Sequence, residues 1–323
     1  MNALISSKKP RLKKPYLVVA WPGMGEVAFK AVNYLVDELK AVEFASIAPE
    51  EFFYFTGSVI TKGLLDLPAL PQGKFYYWKN KTGKNDLVIF LSNAQPDLSK
   101  ADSYAKIIID LAKSLKVELV VSFASMPQAT DHNQESHLWF VATDKKTKDS
   151  LAKFNFHELT NGQISGMNGL FLGMAKKEGL KGFCLLGDIP LYTIQIENPK
   201  ASAAVLAGLG KILNITINLQ PLKAQAQSME AEINKLLDYL NLGAGSQSAP
   251  IGEEEVELIK KTLSQLTKLP VSVKEKIEKL FEESRLDILK ANELKVELDK
   301  WNVYKEYEDK FLDLFRKNND KGN

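Results

Sequence analysis

The sequence predicts a three-layer α/β/α domain with a mixed, mainly parallel β-sheet, followed by a C-terminal helical extension. Three observations support this prediction. Apolar, β-rich segments alternate with segments of helical periodicity over residues 16–213, which is typical of a parallel sheet covered by helices on both faces. Two strand-like segments flank a turn at Gly83, which is a hairpin signal and makes the sheet mixed. From about Ala224 onward the periodicity is helical alone.

The elements of the α/β domain follow from the spacing of its apolar residues. Apolar runs predict strands at 16–20, 42–47, 74–79, 86–91, 117–123, 137–142 and 182–187. Apolar residues three and four positions apart predict helices at 25–39, 101–115, 145–153, 167–178 and 200–213. A further helix begins near Ala224, and its apolar face needs another element to pack against.

Changes in composition divide the chain into four segments. Residues 1–15 are basic, and we expect them to form a flexible, solvated N-terminus rather than an arm that binds a polyanion. Residues 16–242 form the α/β domain. Residues 243–252 are rich in Gly, Ser and Pro and are predicted to be a linker. Residues 253–323 form the helical segment.

The helical segment carries aromatic residues at roughly helical spacing. They are Trp301, Tyr304, Tyr307, Phe311 and Phe315. A module of about 70 residues buries little apolar surface by itself. We therefore expect the main domain or a neighbouring subunit to cover these side chains.

Charge, cysteine content and hydropathy exclude several classes of protein. A net charge of +2 is too small to attract nucleic acid or an anionic membrane, so neither is a predicted partner. The single cysteine, Cys184, rules out a disulfide framework, and its apolar neighbours predict a buried thiol. No apolar run reaches the roughly 18 to 20 residues that span a bilayer, and charges stand where a signal peptide is apolar. The predicted location is the cytoplasm.

The segment after the first strand matches the glycine pattern of a dinucleotide-binding turn. Gly23, Gly25 and Ala28 fit the pattern, and Glu50 stands near the position of the acidic residue that binds a ribose. However, the carboxylate of Glu26 repels a pyrophosphate that seeks the same amides. The chain after Glu50 also continues into a hairpin, where a dinucleotide half-fold has a helix and a parallel strand. We therefore predict a sharp turn beside a functional surface, with no binding of NAD(P) or another cofactor.

Segment 124–136 concentrates polar residues directly after a buried strand. It includes Ser125, Asp131 and His132, and loops at the carboxyl ends of parallel strands are where α/β proteins usually place their sites. No G-x-S-x-G elbow marks a nucleophile, so we predict no essential acid–base role for His132. The three histidines of the chain lack i,i+4 spacing, so no metal site is predicted. These residues do not require the protein to be an enzyme.

Residues near the ends of several predicted strands make up a candidate cleft. Small residues near the start of the predicted helix 167–178 add a place where a helix or a ligand can approach the backbone closely. The candidate residues of the cleft are Gly23, Met24, Gly25, Glu26, Asn93, Gln95, Ser125, Asp131, His132, Gly166, Asp188 and Tyr192.

Several motifs occur in an order that resembles the proteasome assembly chaperone 2 (PAC2) family. They are "VVAWPGMGEVAFKAVNYLVDEL", "FASIAPEEFFYF", "DLVIFLSNAQPD", "SGMNGLFLGMAKKEG", "GFCLLGDIPLY" and "NPKASAAVLAGLGKIL", and they cover roughly residues 16–240. The resemblance implies a three-layer core similar to the phosphorylase/hydrolase-like fold, without a set of catalytic residues. It also implies homo- or hetero-oligomers.

The resemblance also bears on partners. Eukaryotic relatives act as chaperones in the assembly of proteasome α-rings, and some relatives dock on the proteasome through a C-terminal hydrophobic-Tyr-any tail. This sequence ends "KNNDKGN". We therefore do not expect docking through such a tail, and a proteasome-related partner does not follow from the resemblance.

The sequence thus predicts a non-catalytic homotrimer or homotetramer that binds or assembles other proteins. The alternative is a protein that binds a nucleoside, a nucleotide or phosphate in the candidate cleft, or a hydrolase- or phosphorylase-like enzyme that uses it.

Overall fold

The computed structural model of this chain describes residues 4–6, 9–81, 83–242, 271–286, 290–300 and 304–319. These residues form two compact units, one before residue 243 and one after residue 270. The predicted linker 243–252 lies outside the described residues.

The first unit contains eleven strands and six α-helices within its described residues. The strands are β1 (Leu4–Ser6), β2 (Tyr16–Ala20), β3 (Val42–Ile47), β4 (Val59–Thr61), β5 (Leu64–Asp66), β6 (Gly73–Trp78), β7 (Leu87–Ser92), β8 (Leu119–Gln128), β9 (Leu138–Ala142), β10 (His157–Glu158) and β11 (Gly182–Pro190). The helices are α1 (Val27–Glu38), α2 (Ala101–Ser114), α3 (Lys145–Leu151), α4 (Met167–Lys177), α5 (Pro199–Leu213) and α6 (Gln220–Leu242).

Nine of these strands form one sheet, in the order β1-β3-β6-β7-β2-β8-β11-β9-β10. The four neighbours β7, β2, β8 and β11 are parallel, and they are the most deeply buried strands because helices cover both of their faces. β1, β3, β6 and β7 pair antiparallel, and so do β9 and β11. The predicted mixed sheet is confirmed. Parallel pairing is confined to the centre and to β9–β10, so antiparallel pairing is more extensive than predicted.

Helices pack on both faces of the sheet, which confirms the three-layer α/β/α architecture. α2 and α4 contact each other, and they bury Leu17 and Val19 of β2 in one hydrophobic core. α1 and α5 contact each other on the other face, toward which the alternating residues Val18 and Ala20 point. α6 then packs against α5.

Several described residues of segment 1–15 make specific backbone contacts with the main domain. Residues Leu4–Ser6 form β1, antiparallel to β3. The backbone amide of Lys13 donates to Asp86 Oδ2 over 2.6 Å, and that of Glu118 donates to the carbonyl of Pro15 over 2.9 Å. The partners of these residues are 39 to 103 positions away in the sequence, so the basic composition of the segment does not predict the contacts.

Two central strands extend further than their apolar runs predicted. β8 continues to Gln128 and β11 continues to Pro190, and the two strands pair along their whole shared length. Ser125 therefore lies inside a strand and not in a loop. Backbone pairing with a neighbouring strand carries both strands past the point where their apolar pattern stops.

The second unit has its own hydrophobic core. Its described helices are α7 (Val271–Leu286), α8 (Ala291–Lys300) and α9 (Tyr304–Asn319). Phe281, Leu294 and Phe311 are buried in this core, and Tyr304 and Tyr307 pack against it.

The expectation that the main domain or a neighbouring subunit covers the C-terminal aromatics was therefore wrong for part of them. The helices bury Phe311, and partly Tyr304 and Tyr307, against one another. Phe315 stays 44% exposed. Trp301 lies outside the described residues.

No helix in the described part of the chain combines the length and the apolar character that a membrane span needs.

Two glycines of α4 give a matched test of the packing of this helix. A Cβ atom on Gly169 would lie 2.2 Å from the backbone oxygen of Ile164, whereas one on Gly173 would meet no atom within 4 Å. We expect Gly173→Ala to stabilise the first unit by about 0.5–1 kcal/mol, because alanine loses less backbone entropy in a helix. We expect Gly169→Ala to destabilise it, because the backbone must shift. Urea unfolding of both variants measures the difference, and equal effects would contradict this account of α4.

Candidate functional site

Most of the candidate residues fall into two groups at the carboxyl ends of the central strands. The first group surrounds the turn after β2, and the second surrounds the segment between β8 and β9. Residues 194–198 lie between the groups. The Gly25 amide donates to the Ile194 carbonyl over 2.8 Å and the Asn198 amide donates to the Gly25 carbonyl over 2.7 Å, and residues 196–198 line a small pocket together with His132.

The turn after β2 uses its own backbone amides for folding. Gly25 has a φ of +61°, which suits glycine, and its amide is bonded to Ile194. The amide of Glu26 donates to the carbonyl of Gly23 over 2.9 Å, and Met24 between them is half-buried. A phosphate group needs such amides to be unpaired.

The sheet topology also differs from that of a dinucleotide half-fold. In that fold the strand after the first helix lies beside the first strand. Here β6 and β7 lie between β2 and β3. Both observations favour the interpretation of the glycine pattern as a structural turn.

Two side-chain amides hold this turn against the other elements. Asn168, at the start of α4, accepts from the Trp21 amide over 3.0 Å and donates to the Trp21 carbonyl over 2.9 Å. Gln95 donates to the Pro22 carbonyl over 2.8 Å and accepts from the Met167 amide over 3.1 Å. The turn is thereby fixed to α4 and to the loop after β7.

The position of Gln95 between Pro22 and α4 requires a glycine at residue 166. Its φ is +74°, and a Cβ atom there would lie 2.9 Å from Gln95 Nε2. A larger residue would displace the amide that joins Pro22 to α4.

Glu26 occupies an unfavourable environment. Its φ of +50° is rare for a residue other than glycine. Burial, and to a smaller extent the carboxylate of Glu197, raises the pKa of Glu26 above its usual value. Glu197 itself forms an ion pair with Lys30 at 2.5 Å. The charge of Glu26 therefore opposes folding.

His132 is the centre of the second group. Its ring is buried, with Nδ1 2.7 Å from the Tyr192 hydroxyl and Nε2 2.8 Å from Asn234 Oδ1 on α6. The Tyr192 hydroxyl also accepts from the His132 amide over 2.9 Å. Because Asn234 Oδ1 only accepts, the contact at Nε2 requires a proton on that nitrogen. Both ring nitrogens of His132 are therefore bonded to the protein.

Lys200, near the start of α5, completes the attachment of this segment. Its ammonium donates to the carbonyls of His132 over 2.7 Å and Gln134 over 2.8 Å, and it forms an ion pair with Glu230 of α6. An ammonium has three donors. All three are therefore occupied by protein groups.

A small pocket lies between this segment, α5 and α6. Its lining includes Asp131, His132, Asp188, Lys200 and Glu230. Its volume is about 40 Å³, enough for about three water molecules. Asp131 accepts from the Asn133 amide, which lowers the pKa of its carboxyl.

Asp188 also has both carboxylate oxygens bonded. Oδ1 accepts from Trp139 Nε1 over 2.6 Å, and Oδ2 lies 3.1 Å from His137 Nδ1. Asp188 is 7% exposed, so these contacts hold a buried carboxylate. It joins β11 to β9.

Two candidate residues belong to neither group. Asn93 Oδ1 accepts from the Gln72 amide over 2.8 Å and fixes the end of β7 beside β6. Ser125 is buried in β8 opposite Gly187.

Sequence reasoning missed several residues of these networks. They are Asn168, Glu197, Lys200, Glu230 and Asn234. Asn234 lies 102 residues from His132, and Asn168 lies 147 residues from Trp21. No local pattern indicates either pairing. Within the described residues, no group of three or more His, Cys, Asp or Glu side chains is arranged to hold a metal ion.

The chain matches the model of the PAC2 family over residues 17–237. It is similar to MJ1210, an uncharacterized protein of Methanocaldococcus jannaschii, with 28% identity over 255 residues that cover 77% of this chain and 93% of the relative.

Solved structures share the fold. PbaB of Pyrococcus furiosus, described as an archaeal proteasome activator, is 23% identical, with a TM-score of 0.62, over 72% of this chain and 97% of PbaB. PbaA of the same organism, described as an archaeal homolog of proteasome-assembly chaperone, is 24% identical, with a TM-score of 0.56, over 75% of this chain and 99% of PbaA.

The His132 network predicts that α6 is held in place by buried polar contacts. We expect His132→Ala and Asn234→Ala to destabilise α6 by about 1–3 kcal/mol, because each leaves a polar partner unpaired. Hydrogen exchange of the α6 amides should become faster in both variants. Lys235→Ala, which changes an exposed neighbour on the same helix, is the control. Unchanged exchange in the first two variants would show that the network does not hold α6.

The environment of Glu26 predicts a pH-dependent stability. A carboxyl whose pKa is raised by folding costs stability once pH exceeds its unfolded pKa, and the cost is complete above its folded pKa. We expect Glu26→Gln to raise the melting temperature at pH 8, and the gain to vanish below about pH 4, where the carboxyl is protonated in both states. Thermal unfolding at both pH values is the measurement. An equal gain at both values would mean that charge is not the cause.

Proposed function

This chain belongs to the PAC2 family, and we propose that it is a non-catalytic, oligomeric protein that binds other proteins or helps them assemble. One observation carries the proposal. His132, Asp188 and Lys200, which are suited to acid–base or anion chemistry, are bonded to the protein itself at the candidate cleft.

A general acid or base must be able to reach a proton of the substrate. His132 has both ring nitrogens bonded, to Tyr192 and Asn234. Asp188 has both oxygens bonded, to Trp139 and His137. These groups hold strands and helices together, which supports a structural role for them.

The cysteine does not supply a nucleophile either. Cys184 is fully buried in β11, and burial raises its pKa to about 12. A nucleophilic cysteine reacts as the thiolate, and this thiol stays protonated at neutral pH.

The relatives favour a protein partner. The descriptions of PbaB and PbaA name proteasome activation and a homolog of proteasome-assembly chaperone. Activators and assembly chaperones both act by binding other proteins, and we propose the same class of function, protein binding, for this chain. We propose a homotrimer or homotetramer with protein partners, of which proteasome subunits are one candidate.

The alternative is a small-molecule site in the cleft, for a nucleoside, a nucleotide or phosphate, or a related hydrolase- or phosphorylase-like activity. The pocket beside His132 favours it. However, pockets for such ligands usually measure about 300–1,000 Å³, and this one measures about 40 Å³. The donors of Lys200 are also occupied.

Two measurements separate these functions. A ligand at 100 times its dissociation constant adds about 2.7 kcal/mol of stability, so a thermal-shift screen with nucleotides, nucleosides and phosphate detects a small-molecule site. We expect no shift.

Affinity capture with the full chain from its source organism should recover specific protein partners, proteasome subunits among the candidates. Lys200→Ala serves as a control, because it alters the pocket and should not change the captured proteins. A ligand-dependent shift that Lys200→Ala abolishes, together with no captured protein, would contradict the proposal.

A further inference from the structure

The strands β4 and β5 form a hairpin that is separate from the main sheet. Ile60 pairs with Leu65, and Thr61 pairs with Leu64. Lys62 and Gly63 form the two-residue turn between them, both with positive φ, as a type I′ turn requires. All six strand residues are exposed.

This hairpin is mostly apolar. The hairpin and the residues beside it expose seven large hydrophobic side chains, by 44% to 75%: Tyr54, Phe55, Val59, Ile60, Leu64, Leu65 and Leu67. These are seven of the fifteen such residues in the described part of the chain. Over residues 52–67, only Lys62 and Asp66 are charged. No other described segment concentrates exposed apolar residues in this way.

A hairpin of this kind needs a covering surface. A two-stranded sheet by itself is at best marginally stable in water, and both of its strands are open edges. Burying seven such side chains removes on the order of 500 Å² of apolar surface from water. That is more than half of the roughly 800 Å² per partner that a stable interface buries.

The chemistry of the surface indicates a permanent partner. Transient interfaces are about as polar as the rest of a protein surface, whereas homodimer interfaces are more apolar. A second copy of the chain is present at the same concentration whenever the protein is made. The hairpin also carries one charge of each sign, Lys62 and Asp66, so two copies do not repel each other.

We infer that this hairpin packs against the same hairpin of a second copy of the chain across a two-fold axis. The inference rests on the oligomer in the proposed function, and it specifies the contact. A contact between identical surfaces closes after two subunits. By itself the contact gives a dimer, and with a second interface it builds the proposed homotetramer; it is incompatible with the homotrimer.

The first test is the mass of the full-length protein. Ile60→Lys places two like charges in the two-fold contact, one from each copy, and because Ile60 is 71% exposed in the single chain the new charge is not buried there. Light scattering at micromolar concentration should give a mass that is halved relative to the parent protein. Val42→Lys is the matched control, because Val42 is 52% exposed at the start of β3, and it should leave the mass unchanged.

The second test is cross-linking. Because Cys184 is buried, Ile60→Cys introduces the reactive thiol for a short bis-maleimide. We expect covalent dimers from Ile60→Cys and none from Val42→Cys.

The outcomes separate this contact from the proposed function. An even-numbered oligomer, a halved mass and specific cross-linking support the contact. An oligomer with unchanged mass in the lysine variant and no cross-link overturns the contact alone. If the lysine variant keeps the mass of the parent protein but no longer captures the protein partners, the hairpin binds another protein. That result also overturns the contact between two copies. A monomeric parent protein overturns both the contact and the proposed oligomer.

Discussion

A side-chain amide takes the place of a neighbouring strand where the central strand of the sheet ends. Trp21 follows β2 directly and is fully buried, but it lies beyond the last residue of β2 that pairs with β7. Its amide and carbonyl therefore need hydrogen-bond partners other than a neighbouring strand. Asn168 supplies both. Leaving such groups unpaired costs about 1–3 kcal/mol each. The pair fixes α4 to the end of β2, and the turn through Gly25 follows from that point.

The same requirement explains the polar character of the cleft. Long central strands end between two layers of helices, where backbone and side-chain polar groups are removed from water. Gln95, His132, Asp188 and Lys200 each bridge two or more elements at this edge. Polar residues at strand ends are typical of catalytic sites, but here their bonding capacity is used to close the fold.

The hairpin β4–β5 differs from the cleft because its apolar side chains are exposed to water. The cleft buries and pairs polar side chains such as His132 and Asp188, whereas the hairpin exposes apolar side chains such as Ile60 and Leu65. A buried polar group is stable once it is paired. An exposed apolar cluster remains unfavourable until another surface covers it, so association is expected at the hairpin and not at the cleft.

The sequence by itself determined the elements whose signals are local: the central strands, the main helices, the buried Cys184 and the sharp turn at Gly25. Each depends on a few neighbouring residues or on a short period, as does the family resemblance in the order of motifs. Tertiary structure alone decided the pairings of Trp21 with Asn168 and of His132 with Asn234, which join residues 147 and 102 positions apart. It also decided the strand β1 and the separate core of the C-terminal helices. These features depend on which distant surfaces meet, and spacing along a single chain does not contain that information.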